Sequence, residues 1–114
     1  MSSIEDFPEL PGHAERVLDI VNQIPAGRVC TYGLIAECLK DRYGTGSARL
    51  VGQVMSRYGG IGPWWRVVRA DGTLPRQLRT DALAHYDDEA TALVWRHPTK
   101  VDLTRALWDP LADA

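Results

Sequence analysis

Breaker residues divide this chain into short pieces. Pro25-Ala26-Gly27, Tyr43-Gly44-Thr45-Gly46, Gly59-Gly60-Ile61-Gly62-Pro63 and Asp71-Gly72 follow one another through its first two thirds. Glycine admits left-handed backbone and proline lacks a donor N–H, so each cluster ends a regular element and opens a turn. The fold must therefore assemble short elements around tight turns. At 114 residues, with 45% hydrophobic and 25% charged side chains, the sequence 1-114 has the material for one domain with its own core and none for a second.

Between the breakers the apolar spacing is mostly helical. Ala14, Val17, Val21 and Ile24, with Leu18 and Ile20 beside them, predict a first amphipathic helix that stops at Pro25. Thr31 is placed to cap a second, short helix carrying Leu34, Ile35, Cys38 and Leu39, which ends at Gly44. Ser47 is placed to cap a third, whose apolar stripe is Leu50, Val51, Val54 and Met55 and which runs to about Tyr58. Two short helices around a compact turn, the second bearing arginine, form a helix-turn-helix pattern. Beyond Pro63, Trp65-Arg66-Val67-Val68-Arg69 has strand composition, and Asp71-Gly72 turns it toward Thr73-Leu74 as a small hairpin or wing. A last helix is expected from near Thr80, with Leu83, Tyr86, Ala90, Leu93 and Val94 inward, followed by a short strand including Val101 and Leu103. The expected class is mainly α with a small β wing, a winged helix-turn-helix DNA-binding domain.

The net charge of −2 hides a division along the chain. Residues 1–39 sum to −4, residues 40–80 to +6 and residues 81–114 to −4. The basic middle is almost all arginine: Arg42, Arg49, Arg57, Arg66, Arg69, Arg76 and Arg79. Guanidinium forks suit phosphate and base contacts, so this stretch favours an anionic partner over ordinary surface charge. Cys30 and Cys38 lack zinc spacing and sit in apolar patterns, and His13, His85 and His97 are scattered, so no metal or cofactor is implied. The acidic start Met1 to Asp6, followed by Pro8 and Pro11, has neither the charge nor the apolar run of a secretion signal, and no segment has membrane-spanning length. The expectation is a cytoplasmic monomer with no membrane partner.

Five ordered segments carry a family resemblance. Ile24-Pro25-Ala26-Gly27-Arg28-Val29, Thr31-Tyr32-Gly33-Leu34-Ile35-Ala36, Ala48-Arg49-Leu50-Val51-Gly52, Pro63-Trp64-Trp65-Arg66-Val67-Val68 and Asp71-Gly72 together resemble the DNA-binding domain of O6-alkylguanine-DNA alkyltransferases. The resemblance centres on Val17 to Leu74 and extends, more weakly, over about residues 14-109. In that family's repair enzymes the fourth segment reads Pro-Cys-His-Arg-Val, the cysteine accepting the alkyl group and the histidine activating it through a water. Here both positions are tryptophan. An indole has no thiolate and no basic nitrogen, so neither Trp64 nor Trp65 can supply that chemistry. The chain is thus similar to the alkyltransferase-like proteins, in which tryptophan replaces the cysteine. It departs from them at Trp65, where they commonly keep the histidine, and at Tyr58, near a position where the family usually has asparagine. Glu89, before Ala90, falls where the enzymes' Glu-Gly supports their histidine, and a structural role is expected for it.

The resemblance also assigns roles. Arg49 would fill the gap left by a nucleotide flipped from the duplex, Tyr32 would press on the adjoining phosphate, and Ser47, Ala48 and Gly52 would let the helix approach a groove. Arg69 and Arg76 would join them in contacting DNA, and Arg79 is a further candidate. The lesion pocket would be formed by Tyr32, Met55, Pro63, Trp64, Trp65 and Val67, with Trp64 favoured over Trp65 as the tryptophan that faces it. The implied function is non-enzymatic recognition of double-stranded DNA containing O6-alkylguanine, with hand-off to nucleotide excision repair proteins. The alternatives are a winged helix-turn-helix transcriptional regulator reading undamaged DNA, and an enzyme with a relocated nucleophile such as Cys30.

Overall fold

The computed structural model describes residues 11–112, so the acidic start and Pro8 lie outside the described residues. Helix α1, Gly12–Val21, buries Ala14, Val17, Leu18, Ile20 and Val21, the face that the apolar spacing marks. It ends three residues before Ile24, which is nonetheless buried in the turn that follows. Strand β1, Cys30–Thr31, leads directly into α2, Tyr32–Tyr43. The Thr31 hydroxyl accepts the Leu34 N–H at 3.1 Å, satisfying a donor the helix itself cannot. At the other end the chain turns out of the helix through left-handed Gly44.

Helix α3, Ala48–Tyr58, starts the same way, its Leu50 N–H bonded to the Ser47 hydroxyl at 3.1 Å. The turn joining α2 to α3 is closed by Gly46. A Cβ there would stand 2.8 Å from both the Ala36 carbonyl oxygen and the Leu39 side chain, so only glycine lets the chain cross α2 this closely. Helices α1, α2 and α3 pack on one another around a first core cluster.

After a 3-10 turn at Gly59–Ile61, the chain departs from the expected wing. Residues Trp64–Arg66 form a second 3-10 turn rather than a strand, and only Val67–Val68, β2, is extended. This strand runs parallel to β1, Cys30 opposite Val67 and Thr31 opposite Val68. The Asp71-Gly72 turn does form, with Gly72 N–H donating to the Arg69 carbonyl and Arg69 N–H to the Thr73 carbonyl, both at 2.8 Å. Its return segment pairs with no strand, however. Gly72 has φ +86° and a Cβ would lie 2.4 Å from the Val101 oxygen, so the turn is pressed onto a distant segment and not onto its own hairpin.

A short 3-10 turn, Arg76–Leu78, feeds α4, Arg79–Glu89, which buries Ala82 and Tyr86. The helix ends at Ala90, so two residues expected inward are not. Ala90 is exposed, and Val94, 47% exposed, lies on strand β3, Leu93–Trp95, where a side-chain period of two replaces the helical one. Leu93 is half-buried against the second core cluster. Strand β4, Lys100–Val101, pairs antiparallel with β3, while Leu103 begins a four-residue helix, α5, Leu103–Ala106, instead of extending the strand. The tail then returns beside Val29, held by Trp108 N–H on the Val29 carbonyl at 2.7 Å and by Arg28, which donates to the Ala106 and Leu107 carbonyls. No helix among the described residues is long and apolar enough to cross a membrane.

Candidate nucleic-acid interface

Helix α3 buries Val51 and Val54 and leaves Ala48, Arg49, Gln53, Ser56 and Arg57 exposed. Ser47 and Ala48 are exposed at its start. The outer face borders an open groove of about 690 Å³, lined in part by Arg49, Gly52, Gln53 and Arg57 and crossed by His13 of α1. Gly52 is informative here. Glycine within a helix costs about 1 kcal/mol relative to alanine, yet a Cβ at Gly52 would meet nothing within 4 Å. Nothing among the described residues requires it to be small. Arg49 has no ion-pair partner among the described residues and is free to meet an external group.

Adjoining this groove along one edge of α3 is a more enclosed cavity of about 360 Å³. Tyr32 from the start of α2, Gly52 and Met55 from α3, and Trp64 from the second 3-10 turn all line it, so these four expected residues come together. Gly52 and Ser56 border both the groove and the cavity, separating them by one edge of the helix. The remaining lining was not anticipated: Ser56, Gly60, Leu74, Pro75, Gln77 and Leu78. The segment Leu74 to Leu78 has no periodicity to mark it, and its clearest local signal is Pro75 before the 3-10 turn. Its position is fixed by Arg79, whose Nε donates to the Leu74 carbonyl at 2.9 Å. Arg79 is thereby half-buried and holds the cavity wall, whereas Arg69 and Arg76 are exposed.

Three residues expected in the pocket do not line it: Pro63, Trp65 and Val67. Val67 is 1% exposed, inside the first core cluster, because β2 pairs with β1 and turns that side chain inward. Pro63 precedes the 3-10 turn, which sends the two adjacent indoles in different directions. Trp65 stacks on His85 of α4, ring centroids 3.6 Å apart and planes within 5°, and Trp64 meets both rings edge-on. Trp65 is therefore support for Trp64, behind the cavity wall. Its carbonyl accepts the Tyr86 hydroxyl at 2.6 Å, fixing the turn to α4.

The same turn is anchored by charge. Arg66 donates through Nε and Nη2 to the Glu89 carboxylate and through Nη1 to the Ile24 carbonyl at 3.0 Å, and Gly27 N–H donates to Glu89 at 3.0 Å. Burial works to raise the Glu89 carboxyl, but the bonds from Arg66 and Gly27 outweigh it and hold the group below its ordinary value. The Trp65 indole N–H lies toward this carboxylate without reaching hydrogen-bond geometry. Tyr32 is shifted the other way: burial raises its phenol, with exposed Arg69 opposing, so the hydroxyl bordering the cavity is neutral at ordinary pH.

Cys30 and Cys38 are both free and fully buried in the first cluster, and neither lines the cavity. Burial pushes the Cys30 thiol up to about 12, against a smaller opposing backbone hydrogen bond at Thr31, so it carries almost no thiolate at neutral pH. Among the described residues no group of His, Cys, Asp and Glu is placed to hold a metal ion.

Comparison with known proteins identifies the fold and the family. No curated protein sequence matches the chain. Among solved structures, S. pombe Atl1 in complex with damaged DNA containing O6-carboxymethylguanine superimposes with a TM-score of 0.70 at 26% identity, covering 90% of this chain and 100% of that one. A second structure, S. pombe ATL in complex with DNA, gives a TM-score of 0.71 at the same identity and coverage. The model of the 6-O-methylguanine DNA methyltransferase DNA-binding domain matches residues 13–92, from α1 through α4 to the start of the β3 strand. The chain, a mainly helical domain with a small β component, belongs to the 6-O-methylguanine DNA methyltransferase DNA-binding-domain family and resembles the alkyltransferase-like proteins within that fold.

Proposed function

We propose that this protein recognises O6-alkylguanine in duplex DNA and does not repair it. The observation that carries the reading is the apolar-walled cavity that shares Gly52 and Ser56 with the groove along the exposed, arginine-bearing face of α3, with Trp64 on its wall. S. pombe Atl1, which shares the fold, has been captured on damaged DNA, which supports DNA-damage recognition as the shared task. To inspect the O6 atom the base must leave the stack, at a cost of about a few kcal/mol. Arg49 fills the space left behind, its guanidinium stacking and hydrogen-bonding where the base had been. Tyr32 bears on the neighbouring phosphate, Gly52 admits the DNA backbone, and the cavity receives the base against Trp64. Arg69 and Arg76 hold phosphates and contribute to affinity more than to selectivity.

Trp64 and Trp65 offer no nucleophile, and Cys30 is buried, un-ionised and outside the cavity lining, so the bound lesion stays intact and is passed to nucleotide excision repair. The test is competition between matched duplexes with and without one O6-methylguanine, across a salt series. The lesion duplex is expected to bind more tightly, with no methyl group transferred to the protein. Arg49→Ala and Trp64→Ala are expected to shrink the ratio of the two dissociation constants, because both residues act fully only on an extruded base. A wild-type preference for a particular undamaged sequence would instead make the protein a regulator, and stoichiometric methyl transfer would make it an enzyme.

A further inference from the structure

Among the described residues the cavity wall carries no charged side chain. Its interior is built from Met55, Trp64, Leu74 and Leu78, and its polar side chains are the Tyr32 hydroxyl, Ser56 and Gln77. Gln77 is exposed, at the outer edge, on the 3-10 turn that precedes α4. From this geometry we infer that the protein is selective for uncharged O6 adducts and discriminates against those ending in a carboxylate, Gln77 being the rim residue that sets the preference. The inference rests on the lesion-recognition reading and names the adduct class that the same site takes.

The physical reason is desolvation. A methyl or short alkyl group gains by leaving water for an apolar wall, whereas a carboxylate loses hydration that the neutral hydroxyl and amide donors of this wall replace only in part and that a cation would replace fully. The Tyr32 phenol, the Ser56 hydroxyl and the Gln77 amide are all neutral donors, so none supplies a counter-charge. The three nearby arginines are committed or displaced. Arg79 is turned to the Leu74 carbonyl, Arg76 faces a separate cleft with His97 and Thr99, and Arg69 acts on Tyr32 from an exposed position outside the lining. The S. pombe relative, by contrast, was captured with O6-carboxymethylguanine.

The experiment measures dissociation constants of the full chain for three otherwise identical duplexes, carrying guanine, O6-methylguanine or O6-carboxymethylguanine. The wild type is expected to bind the methyl duplex about tenfold more tightly than the carboxymethyl one. Gln77→Arg places a guanidinium at the rim of an exposed position where folding is not at risk. It is expected to move the carboxymethyl-to-methyl ratio about tenfold toward carboxymethyl, the undamaged duplex correcting for the added charge. Equal or tighter wild-type binding of the carboxymethyl duplex, or an unchanged ratio in Gln77→Arg, overturns the inference while leaving lesion recognition standing. If neither lesion binds better than guanine, both readings fall together.

Discussion

The first core cluster draws Val17, Val21, Ile35, Leu39, Val51 and Val54 from three continuous helices, whereas the second takes Val29, Val68, Leu74, Val101 and Ala106 one at a time from separate segments around Tyr86 of α4. In the first, each helix brings a ready-made apolar face, and packing joins faces that local spacing has already formed. In the second, only α4 brings more than one buried side chain, Ala82 with Tyr86, and the cluster exists only once distant parts of the chain have met. The cavity lies where the two adjoin. Tyr32 and Met55 pack against the helical cluster, while Trp64, Leu74 and Leu78 belong to or pack on the other. A site at such a seam has one wall that is set early and locally and one that depends on long-range assembly.

The contrast can be broken most forcefully at Tyr86. This residue is 1% exposed, is the largest fully buried side chain among the described residues and holds the Trp65 carbonyl. Tyr86→Ala is expected to cost about 3–5 kcal/mol in denaturant unfolding, against about 2 kcal/mol for Val54→Ala in the helical cluster. If the valine variant proves the more damaging, the dependence of the second cluster on one large side chain is wrong.

An intermediate effect is expected at Glu89, which ties the turn carrying Trp64 and Trp65 to Gly27 and, through Arg66, to Ile24. Glu89→Gln should destabilise by roughly 1–3 kcal/mol near neutral pH, because it weakens bonds to a charged, largely buried acceptor. The folded-state carboxyl sits below its ordinary value of 4.5, so the contribution is complete above that pH. It is lost as the pH falls through the lower folded value. The wild type should therefore lose its advantage over Glu89→Gln on acidification below about 4.5, a convergence visible in melting temperature; parallel curves would remove Glu89 as the anchor.

The smallest effect has the opposite sign. Ala90 ends α4 with φ +57°, a left-handed conformation that a side chain disfavours, and its N–H bonds to the Tyr86 and Asp87 carbonyls. Ala90→Gly should relieve that strain and raise stability by about 0.5–1 kcal/mol, the greater freedom of glycine in the unfolded chain offsetting part of the gain. A loss of stability would mean that the Ala90 methyl packs more usefully than its exposure suggests.

The difference between the clusters also explains what could be read beforehand. Thr31 and Ser47 cap the helices that their sequences announce, and Gly44 stops α2, because capping and apolar spacing act within a few residues. The wing was misplaced for the converse reason. Val67-Val68 has strand composition wherever it pairs, and the choice of β1 as partner over the return from Asp71-Gly72 is made by contacts outside that segment. Likewise Val94 continued a helical period on paper, but the helix ends at Ala90 and hands Val94 to a strand.

At the site itself, residue chemistry was settled by the sequence alone: tryptophans at 64 and 65 bring no thiol and no imidazole in any fold, and Arg49 and Gly52 share one helix whatever it packs against. For which tryptophan meets the cavity, the sequence offers only an expectation, Trp64 over Trp65. The outcome was decided by the 3-10 turn at Trp64–Arg66, by His85 stacking on Trp65 from α4, and by Arg79 drawing Leu74 into the wall. A side chain's functional groups are intrinsic to it, whereas the direction in which it points depends on backbone turns and partners that only the assembled chain supplies.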